Sequence, residues 1–188
     1  LASALNLLAM PLNLWFPAAR FAHLKDADGG QRFFRQLSWA VAVLSFSLAG
    51  LLWLLAPTLV HWFNPMQQPD RWVAGWLLGG AACTALVGVM NVGLLASGRT
   101  PLVLVCTLVA GVLHLGLLGV LVPRHGVAGA AVATAVGGGA TLFLQVWLSQ
   151  RRHPIEHPTL WIMLHGAGVV LLCALLTRMS TGHGLSDV

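Results

Sequence analysis

The chain has 188 residues, of which 57% are hydrophobic and only 8% charged, whereas a water-soluble domain carries roughly a quarter charged residues. So little charge cannot cover a single apolar core that faces water, and lipid is the expected solvent. The net charge of +5 does not indicate nucleic acid, because the basic residues stand singly or in pairs between apolar runs and form no stripe interleaved with aromatics.

The expected fold is all-α, a polytopic transmembrane bundle of about six spanning helices, each needing about 20 mostly apolar residues. The first candidate covers 1–22 and is the least regular, with Asn6, Pro11, Asn13 and Pro17. It starts at Leu1 without a charged leader or a small-residue cleavage site, so it is not a signal peptide, and the natural start is expected upstream. The second candidate runs over 37–63, the third over 72–96 and the fourth over 101–122. The fifth covers 126–149 and the sixth 159–177. No run alternates with period 2 for long, which disfavours a β-barrel.

The connections are short and rich in breakers: Asp26 to Gly30, Asn64-Pro65 with Gln67 to Asp70, Ser97 to Pro101, and Val122 to Gly126. Proline opens a helix without losing a helical hydrogen bond, and glycine past a helix end accepts left-handed dihedrals. Such short loops make sequential spans antiparallel neighbours. Counting alternate loops, Arg20, Lys25, Arg32, Arg35, Arg99, Arg151 and Arg152 fall on one side. Arg71, Arg124 and Arg178 fall on the other. The first side is expected to be cytoplasmic, with the sixth span ending outside. Trp39, Trp62, Trp72, Trp76, Trp147 and Trp161 stand near span ends, as an aromatic belt requires, and Trp53 lies deeper.

Small residues recur at helical spacing: Gly75 with Gly79, Gly126 with Ala130, and Gly129 with Ala133. They let backbones approach closely where lipid removes the hydrophobic drive for association. Gly137-Gly138-Gly139 falls mid-span, where it is expected to bend or loosen the fifth helix. Cys83, Cys106 and Cys173 each sit in a different apolar run as small hydrophobes.

Few residues carry chemistry. His153 to His157 matches HxxEH, a pattern that places two zinc-ligating histidines on one helical turn. Pro154 and Pro158 argue against a helix there, and no third ligand is evident, so a solvated loop is the better reading and no metal or cofactor is expected. His114 and His165 lie inside apolar spans, where an ionisable residue is either functional or bonded to a neighbouring helix. Asn91, Gln145 and Thr134 either line a polar cavity or tie helices together. Arg20 either anchors the first helix end at the interface or meets an anionic group. No Ser-His-Asp set, carboxylate pair or phosphate loop is present, and an enzyme is not expected.

Residues 111–136 read GVLHLGLLGVLVPRHGVAGAAVATAV. The succession of an apolar run, Pro123, Gly126, Gly129, Ala130, Ala131, Ala133 and Thr134 resembles the polysaccharide flippases. These are the O-antigen and lipid-linked oligosaccharide exporters of the MATE-like transporter superfamily. Asn91 followed by Gly93-Leu94-Leu95 and Gly98-Arg99, and the Pro17 helix end leading to Arg35, are similar to the same family. The resemblance covers residues 1–150.

It implies a fragment of a larger two-bundle transporter of the inner, cytoplasmic membrane. Residues 1–150 would be most of its second bundle, 151–158 a cytoplasmic loop, and 159–188 an additional span and tail. The implied activity is alternating-access flipping of undecaprenyl-pyrophosphate-linked sugars for polysaccharide and lipopolysaccharide synthesis. Its partners would be the bilayer, the lipid-linked oligosaccharide and a first bundle of the same protein, with no nucleic acid. Arg20, Asn91 and His114 are the candidate substrate-binding residues, and Pro123, Gly126, Gly129, Ala130, Ala131 and Thr134 the packing residues. A MATE-type drug or cation antiporter is the alternative, although that class favours intramembrane acids and these spans contain none. A non-transporting membrane protein is the third possibility.

Overall fold

The computed structural model describes residues 15–16, 19, 22–23, 30–63, 66, 70–98, 100–152, 155 and 157–182. Nearly all of these are helical, with no strand among the described residues. Helix α1 is Gln31–Phe63, α2 Arg71–Met90, α3 the short Val92–Ala96, α4 Thr100–Arg152 and α5 Thr159–Gly182. Four stretches are long and apolar enough to cross a membrane: α1, Arg71–Ala96, Pro101–Arg152 and Thr159–Arg178. The protein is therefore read as an α-helical membrane protein.

The longest stretch is a folded pair. Gly126, with φ 55° and ψ −131°, is the one non-helical residue inside α4. Each arm has roughly 25 residues, or about 37 Å of helix, enough to cross a hydrocarbon core of about 30 Å. Three contacts show that the arms run antiparallel. A Cβ on Gly129 would collide with the Leu121 carbonyl oxygen, and one on Gly137 would lie 2.9 Å from His114 Nδ1. Gln145 Nε2 donates to Thr107 Oγ1 at 3.2 Å. Successive contacts step seven residues down the first arm and eight down the second. The expected turn at Val122 to Gly126 is thus present but tighter, and Pro123 lies within the helix rather than in the loop. The backbone stays helical through Gly137-Gly138-Gly139, so these glycines do not break the helix.

Helix α2 packs along α4, α1 packs on α2, and α5 packs on α1; α3 also rests on α4. The α2–α4 crossing is made close by Gly80 and Gly138: a Cβ on Gly80 would lie 3.0 Å from Ala135 Cα, and one on Gly138 2.9 Å from the Gly80 carbonyl oxygen. At the α1–α5 crossing a Cβ on Gly50 would meet Val169 Cγ1 at 2.5 Å. Gly79, expected as a packing residue, faces open space, and Gly75 lies against the Trp53 indole.

Helix α1 starts six residues before its expected apolar run, taking in Arg32 and Arg35. Asp70 caps α2: its carboxylate accepts from Trp72 N at 2.8 Å and Val73 N at 3.4 Å. It satisfies two of the unpaired amides at the positive end of the helix dipole. Trp53 Nε1 donates to the Arg71 carbonyl at 2.7 Å, which fixes α1 against the start of α2.

The larger buried cluster joins Phe34, Val41 and Ala42 of α1 to Leu86, Val89 and Met90 of α2, Val92 of α3, Ile162 of α5, and Phe16 and Ile155. It lies at the arginine-rich end of the bundle. A smaller one joins Ala49 to Leu78, Ala81 and Ala82 near the middle. Leu104, Leu108, Val112 and Leu115 on the first arm of α4 remain exposed, as a lipid-facing surface does.

Candidate functional site

The polar groups inside the bundle concentrate in one layer near its arginine-rich end. The third expected span is not continuous: α2 ends at Met90, Asn91 adopts φ −86° and ψ 6°, and α3 resumes at Val92. The Asn91 carbonyl oxygen accepts from Leu94 N at 3.1 Å and Leu95 N at 3.3 Å, so the break costs few backbone bonds. Its side chain faces α4, where Nδ2 donates to Gln145 Oε1 at 3.2 Å. Gln145, only 2% exposed, passes the chain on to Thr107 Oγ1, which donates to the Val103 carbonyl at 2.8 Å. The relay links α2 to both arms of α4. Asn91 Oδ1 is buried with no hydrogen-bond partner among the described residues.

His114 lies on the first arm of α4, half-buried and packed on Gly137. The Asn91 relay meets that arm at Thr107, two turns away, so the structure does not bring His114 into it. Arg20 lies outside the described residues. Pro123, Gly126 and Gly129 gather at the hairpin turn; Ala130 and the buried Ala131 follow on the second arm. Thr134 Oγ1 donates to the Ala130 carbonyl of its own helix at 2.9 Å, so it ties no second helix. His165 Nε2 lies 3.2 Å from Ser47 Oγ, linking α5 to α1, with its ring edge-on to Trp39.

A second polar junction joins the α4–α5 connection to α1. Ser38 Oγ, fully buried, donates to the Phe34 carbonyl at 2.7 Å. His157 Nδ1 lies 3.1 Å from the same oxygen. With the hydroxyl hydrogen committed to Phe34, Nδ1 carries the proton, an assignment made from the bonding pattern. Nε2 is then a buried acceptor, and it has no partner among the described residues. Burial lowers the His157 pKa from 6.5 to about 4, because the cation would be cut off from water. Gln150 Nε2 donates to the Ile155 carbonyl at 2.6 Å, holding the connection down. Of the HxxEH residues, His153 and Glu156 lie outside the described residues, and no cluster of three potential metal ligands occurs among the described ones.

Beside this junction a hollow of about 510 Å³ is lined by Arg35, Gln36, Trp39, Pro158 and Trp161. It pairs a guanidinium with two indoles at the arginine-rich end.

Compared with family models, with curated proteins and with solved structures, the chain matches none. Asn91 and Gln145 are each evident in the sequence as polar residues within apolar runs, but the 54 positions between them hide their bond. Ser38 and Ser149, both fully buried, have no sequence signal, because a serine in an apolar run leaves no pattern that sets it apart.

Proposed function

We propose that the chain is the second helical bundle of a flippase for lipid-linked oligosaccharides, acting by alternating access in the cytoplasmic membrane. The observation that carries this reading is the run 111–136, which resembles the polysaccharide flippases through Pro123, Gly126, Gly129, Ala130, Ala131 and Thr134. It is supported by the tight antiparallel hairpin that these residues turn and by the glycine crossings at Gly80 and Gly138, which give smooth contacts between spans. In this reading the first span brings the count to six, and the arginine-rich end is cytoplasmic. A first bundle of the same protein supplies the facing cavity wall. Asn91 and the hollow at Arg35 and Trp161 are the described groups nearest where a pyrophosphate-sugar headgroup enters in this reading.

The test uses the whole protein. Its gene is deleted and the leaflet holding the lipid-linked oligosaccharide is determined. Accumulation on the cytoplasmic leaflet with loss of surface polysaccharide is expected. Unchanged lipid distribution would overturn the reading.

A further inference from the structure

Among the described residues the bundle is open along one side. Helix α5 packs on α1 but forms no extended contact with α4, and between them runs a groove of about 1130 Å³. Phe46 and Leu86 form its floor, Leu142 and Val146 one wall, Ile162 and Val170 the other. Along α5 the lining extends from Thr159 to Ala174, about 22 Å of helix. That exceeds one leaflet's share, about 15 Å, of the hydrocarbon thickness. An apolar space of this kind does not hold water, and in a bilayer it is filled by hydrocarbon.

The groove is polar at one end only. Gln150 and Thr159 line it there together with Trp147, whereas Gly139, Leu171 and Ala174 line the opposite part. The Arg151 guanidinium carbon lies 4.0 Å from the Trp147 ring centroid, a cation–π contact that holds the charge at the groove's mouth. Asp70 is the one acid among the described residues, and it caps α2 at the opposite end of the bundle. No carboxylate among them neutralises Arg151. An apolar channel longer than a leaflet, with a cation at its interfacial end that no described carboxylate neutralises, is complementary to an anionic amphiphile.

We propose that this groove holds one anionic glycerophospholipid of the surrounding bilayer, with an acyl chain between α4 and α5 and the phosphate on Arg151. The assignment requires only that the helices cross a membrane and stands apart from the flippase reading.

The whole protein is released from nanodiscs of mixed phosphatidylglycerol and phosphatidylcholine and weighed by native mass spectrometry. Wild type retains one phosphatidylglycerol. Arg151→Gln lowers the preference over phosphatidylcholine about fivefold, as loss of one interfacial cation does. Gly139→Leu abolishes retention of both lipids: a Cβ there meets nothing within 4 Å, so the new side chain enters the groove rather than the protein. Ala167→Phe, from an exposed position lining the groove, does the same should Gly139→Leu fail to fold. Lipid-free wild type, equal retention of the two lipids, undiminished retention in a folded groove-filling variant, or a lipid-free dimer would each overturn the assignment. So would stoichiometric displacement by an added polyprenyl phosphate, which would make the groove a seat for a substrate tail instead.

Discussion

Asn91 and Gln145, 54 residues apart, share a 3.2 Å hydrogen bond that joins the break between α2 and α3 to the second arm of α4. Removing either partner leaves a polar group stranded inside the bundle near its arginine-rich end. In a double-mutant cycle of Asn91→Ala and Gln145→Ala, the expected coupling is about 0.6–1.7 kcal/mol, the range for interhelical hydrogen bonds in membranes. Reversible unfolding in mixed micelles measures it, and a coupling of zero would mean that the bond does not hold the helices together.

Two of the three consecutive glycines of α4 meet different neighbours and the third faces open space, so their substitutions should separate. Gly137→Ala places a Cβ 2.9–3.1 Å from the His114 ring, and Gly138→Ala places one 2.9 Å from the Gly80 carbonyl. Both are expected to destabilise by about 1–3 kcal/mol, as overpacking does. Gly139→Ala meets nothing and should be neutral, or stabilise by up to about 1 kcal/mol through helix propensity. Removing the ring with His114→Ala relieves the contacts to Nδ1 and Cγ but keeps the Cβ at 3.0 Å, so it should restore only part of the Gly137→Ala loss while leaving Gly138→Ala unchanged. Thermal denaturation in detergent distinguishes these outcomes.

The backbone of Gly126, at φ 55° and ψ −131°, lies where a side chain is strained, at a cost of about 1–3 kcal/mol. Gly126→Ala should lower the melting temperature. Gly126→Asn should do no better, since asparagine tolerates the left-handed helical region but not this value of ψ. Rescue by asparagine would show that the turn relaxes into an ordinary left-handed cap.

The His157 contact predicts a pH dependence confined to the acid side. Its folded pKa of about 4 lies below the ordinary 6.5, so the unfolded or undocked state binds the proton more readily. Stability from this group is complete above pH 6.5 and falls as pH drops from 6.5 toward 4. The amide protection factor at His157, whose N–H donates to the Ile155 carbonyl, should fall over that window, and His157→Gln should remove the fall. Loosening on the alkaline side instead would contradict the burial of a neutral imidazole.

Most span boundaries were legible because hydrocarbon length and loop chemistry are one-dimensional signals. Apolar runs ended where Asp70, Pro123-Gly126 and Pro158 stand, and the helices turn or stop at or beside these residues. Asn91 was legible as a polar residue but not as a break, since nothing nearby is a proline and the apolar run continues through α3. The small-residue pattern placed close packing on α2, where Gly75 does meet Trp53, but it named Gly79 where Gly80 makes the crossing with α4. Spacing gives a face only to within a residue, and on an almost wholly apolar helix no polar side marks which face points inward. The Ser38–His157 contact joins residues 119 positions apart and has no local signature.

Gly126 reverses the chain in a single residue, and the contacts at Leu121, His114 and Thr107 then engage the arms down much of their length. Two rods joined so closely have no slack with which to slide past each other. A piston displacement of either would have to break the Gly129 contact first, so the pair can tilt or roll only as one lever. Any cycle that moves this part of the molecule has its pivots where the hairpin meets its neighbours, at the Gly80–Gly138 crossing with α2 and in the connections to α3 and α5.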